Sequence, residues 1–157
     1  MIRKLAFCAA FACASAAVAA PPSAFLTKAI HGNFSEVTLG RMIRNQASSP
    51  QVRQFGSMLV SDHSKGLAQA QQIAARLHLR IAATLTPEAR AEQARLRHLN
   101  GRAFDREVRR YMINDHQKDI AKFQAQARSG DRQTADLARA QLPTLRKHLR
   151  IAESLRV

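Results

Sequence analysis

The chain has 157 residues, with 25 Lys and Arg against 11 Asp and Glu, a formal charge of +14 and only 5% aromatic residues. So few aromatics, with abundant Ala and Gln and sparse Gly, favour helix over sheet, and the length suits one domain. Both cysteines, Cys8 and Cys13, fall near the amino terminus.

The first stretch, "MIRKLAFCAAFACASAAVAAPPSAF", places Arg3 and Lys4 before an apolar run that reaches about Ala14, followed by small residues. That is the layout of a secretory signal peptide, and the run is too short to span a bilayer. Ala17-Val18-Ala19 satisfies the small-x-small rule, which puts cleavage after Ala19; a cut after Ala20 would place Pro21 at the scissile bond. Residues 1–19 are therefore expected to leave, and residues 20–157 to form one exported domain, periplasmic or secreted. Its cysteines go with the leader, and neither sits in a lipobox, which excludes disulfides, thiolate chemistry and a lipid-modified cysteine from the mature chain. Loss of Arg3 and Lys4 reduces the charge from +14 to +12. Export argues against nucleic acid as the partner of this basic surface, and an anionic component of the cell envelope fits better. No later stretch is apolar for long enough to cross a membrane.

Sequence punctuation divides the rest into four long helices and a short one. The first is predicted from about Ser23 to Ala47. Ser49-Pro50, a capping residue followed by proline at the first helical position, opens the second, which reaches about Leu79. Thr86-Pro87 repeats the device and opens a short helix to about Leu99. Asn100-Gly101 breaks it. The third long helix runs from about Arg102 to Arg128, Ser129-Gly130-Asp131 turns the chain, and the fourth runs from about Arg132 to Leu155, with Pro143 expected to kink it.

Helical periodicity then orients the histidines. "VSDHSK" and "INDHQK" each contain Asp-His-x-Lys, at Asp62-His63 and Asp115-His116. At 100° per residue, His63 falls in the stripe Val52, Gly56, Leu59, Leu67, Ala70 and Ala74, and His116 in that of Met112, Ile120 and Phe123. His148 lies with Leu137, Gln141, Leu145 and Ala152. Glu36 centres the stripe Phe25, Ala29, Gly40, Ile43 and Ala47. Each apolar stripe carries one strongly polar residue near the middle of its helix. Midpoints meet whether neighbouring helices run parallel or antiparallel, so one bundle would bring Glu36, His63, His116 and His148 into one layer. Imidazole and carboxylate in a dry layer need mutual hydrogen bonds or a cation, and that donor set suits zinc, iron, copper or nickel. Asp62 and Asp115 are rotated by about 100° and could orient an imidazole on a neighbouring helix or become ligands. Asp119, one turn beyond His116, could reach the same layer. His31, His78 and His98 fall near helix ends or on polar faces and look incidental.

Three functional readings follow. The leading one is a metal-binding bundle acting in metal handling or envelope stress. The second is a cofactor-free helical module, its layer an Asp–His–Glu hydrogen-bond network and its basic faces (Arg106, Arg109, Arg110; Arg146, Lys147, Arg150) docking on an anionic envelope component. The third is a metalloenzyme with an open coordination position on the same residues. No nucleophile triad and no glycine-rich phosphate loop is readable.

From "AFLTKAIHGNFSEVTLG" through "SSPQVRQFGSMLVSDHSK" and "GRAFDREVRRYMINDHQKDI" to "LPTLRKHLRIAESL", the chain resembles a bacterial exported family, domain-of-unknown-function 4142, whose members often carry an outer-membrane label. The resemblance places the family's Glu, its two Asp-His pairs and its terminal His-Leu on Glu36, Asp62-His63, Asp115-His116 and His148-Leu149. It implies a ferritin-like four-helix bundle, with the connector of about 22 residues between the second and third long helices crossing the bundle's length and the two Asp-His helices parallel. The Glu-x-x-His motif of di-iron carboxylate sites is missing: Gly66 and Asp119 follow the two histidines at plus three. One Glu and three His point instead to a histidine-rich, mononuclear site, or at most an unusual dinuclear one using Asp62 or Asp115.

Overall fold

The computed structural model describes residues 18–157. The expected signal peptide lies almost wholly outside the described residues. Five helices follow: α1 (Pro22–Gln46), α2 (Pro50–Arg76), α3 (Pro87–Leu96), α4 (Gly101–Ala127) and α5 (Arg132–Ser154). Among the described residues no helix is long and apolar enough to cross a membrane.

Helix starts follow their capping chemistry in part. Thr86 Oγ1 accepts from Ala89 N at 3.1 Å and Asp131 Oδ1 from Thr134 N at 2.8 Å, each satisfying a free donor of a first turn. Ser49 precedes Pro50 as expected, yet its side chain makes no capping bond. Asp105, reaching over from α4, instead receives Ser48 N at 3.0 Å and Ser49 N at 2.8 Å. A buried carboxylate therefore fastens the α1–α2 turn to the start of α4. Helix α2 stops at Arg76, short of the expected Leu79. His78 takes the left-handed conformation at φ 56, its N bonds Ala75 O at 3.0 Å, and Leu79 N turns back to Ala74 O at 2.8 Å. That closing pair of bonds normally uses glycine, so the sequence offered no cue for it. Helix α5 continues through Pro143.

Two apolar clusters fix the helix directions. One joins the end of α1 (Leu39, Ile43), the start of α2 (Val52, Phe55, Leu59), the start of α4 (Phe104, Val108, Met112) and the end of α5 (Ala152, Leu155). The other joins the start of α1 (Phe25, Leu26, Ile30), the ends of α2 (Ala70, Ile73) and α4 (Phe123), and the start of α5 (Leu137, Leu142). Helices α2 and α4 thus run parallel, and α1 and α5 run opposite to both. The connector has to travel the bundle's length. It does so as an extended segment in which Leu79, Ile81, Ala83 and Leu85 are half-buried while Arg80, Ala82 and Thr84 are exposed, the period-two burial of an extended chain. His31 is not idle: its ring nitrogen hydrogen-bonds Ala82 O at 3.0 Å and ties this segment to α1.

Helices α1 and α2 approach closely at Gly40 and Gly56, where a Cβ on Gly56 would lie 2.6 Å from Arg44 N. Between the two apolar clusters lies a polar layer.

Candidate metal centre

The layer contains the four residues that the stripes single out. Glu36 is 2% exposed, His63 5%, His116 1% and His148 0%. One ring nitrogen from each of His63, His116 and His148 lies within 4.8 Å of the other two. His148 Nδ1 stands 3.2 Å from His63 Nε2 and 3.4 Å from His116 Nε2. Phe55 meets the His148 ring edge-on from the neighbouring apolar cluster.

The outward nitrogens decide where the protons are. His116 Nδ1 lies 2.9 Å from Met112 O, a carbonyl that can only accept. His148 Nε2 lies 3.0 Å from Asp62 Oδ2, which also receives Lys147 Nζ at 3.0 Å. His63 Nδ1 lies 3.0 Å from Asn33 Oδ1. The Asn33 amide is fixed by its own partners, since its Nδ2 donates to Ala29 O at 2.8 Å and to Gln141 Oε1 at 3.2 Å. Gln141 is fixed in turn, because its Nε2 donates to Gly66 O at 3.0 Å. Each imidazole therefore donates outward and, when neutral, carries its lone pair inward. Three lone pairs face one another without a proton to share, that of His148 at hydrogen-bond distance from each of the other two.

A cation or an added proton would resolve that contact. Burial pushes the imidazole pKa down at all three histidines: well below its ordinary value at His63, to about 3 at His116, and downward at His148 despite the Asp62 carboxylate beside it. A proton is thus disfavoured. The spacing suits a metal. Bonds of about 2.0–2.1 Å in a tetrahedral arrangement separate nitrogens by about 3.3 Å, against 3.2 and 3.4 Å for the two pairs that include His148 and a third pair within 4.8 Å, which an ion would draw together.

Glu36 stands outside the close set of three. Its Oε2 has no hydrogen-bond partner and lies 3.9 Å from His63 Nε2. Burial first, then Asp115 and Asp119, raise its pKa well above the carboxylate range. Asp115 pairs with Glu36, and burial and Asp119 push its own carboxyl up to about 7. An arriving cation would favour ionisation of Glu36 and give its orphaned oxygen a partner.

The three aspartates take different parts. Asp62 orients His148 on a neighbouring helix. Asp115 contacts Glu36, and Asp119 binds Lys122 Nζ at 2.9 Å through Oδ1. Helical periodicity puts Gln141 in the His148 stripe without a role and does not single out Asn33. The available signal was a second polar residue, one turn before Glu36, on a face that should have been apolar. Gly66 matters to both amides, because a Cβ there would lie 2.3 Å from Asn33 Oδ1. Of the two basic faces, Lys147 is engaged by Asp62, Arg110 by Glu107 at 2.9 Å, and Arg109 by Glu153 O at 3.1 Å.

The model of the domain-of-unknown-function family DUF4142 matches residues 8–155. The chain belongs to this family. No functionally curated protein matches it. Among solved structures it is similar to a crystal structure of a DUF305 fragment from Deinococcus radiodurans, with a TM-score of 0.75 and 21% identity over 88% of this chain and 97% of that one. That likeness concerns the fold.

Proposed function

We propose that this DUF4142 protein is an exported metal-binding bundle of ferritin-like arrangement, in which His63 Nε2, His116 Nε2 and His148 Nδ1 hold one transition-metal ion. Glu36 Oε2 is the fourth donor. The observation that carries this reading is the set of three inward lone pairs, each fixed by an outward hydrogen bond to an acceptor. Imidazole with one carboxylate suits zinc, iron, copper or nickel, and the buried setting suits holding an ion in metal handling or envelope stress. Asn33, Met112 O and Asp62 set the ring orientations, the outer support on which such centres depend. The parallel run of α2 and α4 on either side of a long connector supports the ferritin-like arrangement. The amino-terminal leader supports a periplasmic location.

Elemental analysis of untagged protein purified from its native compartment tests this reading. About one transition-metal ion per chain is expected, and none in His63→Ala or His116→Ala. Free metal at a hundredfold excess over Kd should stabilise the fold by about 2.7 kcal/mol, or roughly 10 °C in Tm for a domain of this size. Protein that carries no metal from its native source, and whose melting ignores both chelator and added ions, would overturn the assignment.

A further inference from the structure

Ions need a way into a layer whose histidines are almost wholly buried. A groove of about 380 Å³ lies between α1, the start of α3 and α4, bordered by Phe25, Lys28, Gly32, Asp119, Lys122 and Phe123. A neck of about 10 Å³ lies farther in, sharing Gly32, Asp119 and Phe123 with this groove, and Asn33, His63, Gln141 and Leu145 with a cleft on the opposite side. That is the room of about one water, or one ion stripped of its shell.

Carboxylates mark this path. Asp119 Oδ1 binds Lys122 on the outer side, where the lysine side chain is 52% exposed. Its Oδ2 turns the other way, 3.7 Å from where a Gly32 Cβ would stand. Beyond the neck, and lining neither cavity, Glu36 is 2% exposed, and its unpartnered Oε2 lies 3.9 Å from His63 Nε2. A second cleft, of about 210 Å³ between α2 and α5, also reaches His63. Its charged groups are Lys65 and Asp62, and Asp62 is paired with a lysine as Asp119 is, but also holds the outward nitrogen of His148. Cations are drawn to the path with inward-facing carboxylate oxygen.

Building on the metal reading, we propose that divalent transition ions reach the centre through the α1–α4 groove. Asp119 receives the ion as Lys122 swings outward, the gap at Gly32 passes it, and His63 is the first imidazole it meets. Asp119 is a positioning residue for the ion in transit and no ligand of the final site.

Stopped-flow mixing with cobalt(II), followed by its visible absorption, tests the route. Gly32→Leu should fill the neck and slow both association and release by about tenfold, leaving Kd within about twofold, because a raised barrier affects both directions equally. Ala140→Trp, which fills the α2–α5 cleft, should leave both rates at the parent value. Asp119→Asn is isosteric and keeps the fold should Gly32→Leu lose it; association should slow and become less sensitive to salt. Parent-like rates in Gly32→Leu or Asp119→Asn, or slowing in Ala140→Trp instead, overturn the route while the centre stands. A parent protein that develops no cobalt absorption at all overturns the metal reading, and the route with it.

Discussion

Replacing His116 by Leu separates a metal centre from a hydrogen-bonded polar core. His116 is 1% exposed, and its inward nitrogen lies 3.4 Å from that of His148. A buried acceptor without a donor costs about 1–3 kcal/mol, whereas a net hydrogen bond contributes about 1 kcal/mol. The substitution removes one acceptor from a space that holds three, and gives up the bond from Nδ1 to Met112 O, a carbonyl already within its helix. The balance is a metal-free variant as stable as the parent or more stable by about 1 kcal/mol, which shifts a urea midpoint by roughly 0.5 M. Saturating metal should invert the order, stabilising the parent by about 2.7 kcal/mol at a hundredfold excess over Kd and the variant not at all. Urea unfolding at pH 8, with chelator and then with zinc, reads both arms. A metal-free variant less stable than the parent by about 2 kcal/mol or more would refute the reasoning, since the histidines would then be bonding one another.

Other consequences follow from the same geometry. Asp62→Asn should weaken metal binding by about 10- to 100-fold, measured by competition with a chromophoric chelator, because His148 loses the carboxylate that fixes its ring. Asp115 titrates at about 7 in the fold against an ordinary 3.8, so the folded state binds more protons between those values. The stability this contributes is complete below about pH 4 and lost as pH rises through 7. Asp115→Asn should therefore stabilise the metal-free protein at pH 8, by roughly 2 kcal/mol, and much less at pH 5, as chemical denaturation at the two pH values will show. Gly56→Ala should cost about 2 kcal/mol or more in thermal unfolding, since its Cβ would lie 2.6 Å from Arg44 N across the α1–α2 contact.

Much of this architecture is legible in the sequence because helix punctuation and 3.6-residue periodicity are local. Pro50, Pro87 and the Asn100-Gly101 break mark helix starts that the fold uses. The stripes that contain Glu36, His63, His116 and His148 do face the interior, since one polar residue in an apolar face has nowhere else to go once four faces meet. What escaped depends on distant partners. Asp105 fastens a turn 56 and 57 residues away in the chain, and His78 closes α2 where glycine would have announced it. The orientation of Asn33 is set by Ala29 O and by Gln141 on another helix. The Asp of each Asp-His pair looks equivalent in sequence, yet Asp62 meets an imidazole and Asp115 a carboxyl, because α2 and α4 have different neighbours.

Which imidazole nitrogens carry protons distinguishes a metal centre from a hydrogen-bonded core, and nitrogen-15 NMR of the side chains reads it directly at neutral pH. The metal-free protein should show neutral rings, protonated at Nδ1 in His63 and His116 and at Nε2 in His148. One equivalent of zinc should shift His63 Nε2, His116 Nε2 and His148 Nδ1 together and leave the protonated nitrogens bonded to hydrogen. A ring protonated on both nitrogens at neutral pH, or a spectrum that zinc leaves unchanged, would contradict the account.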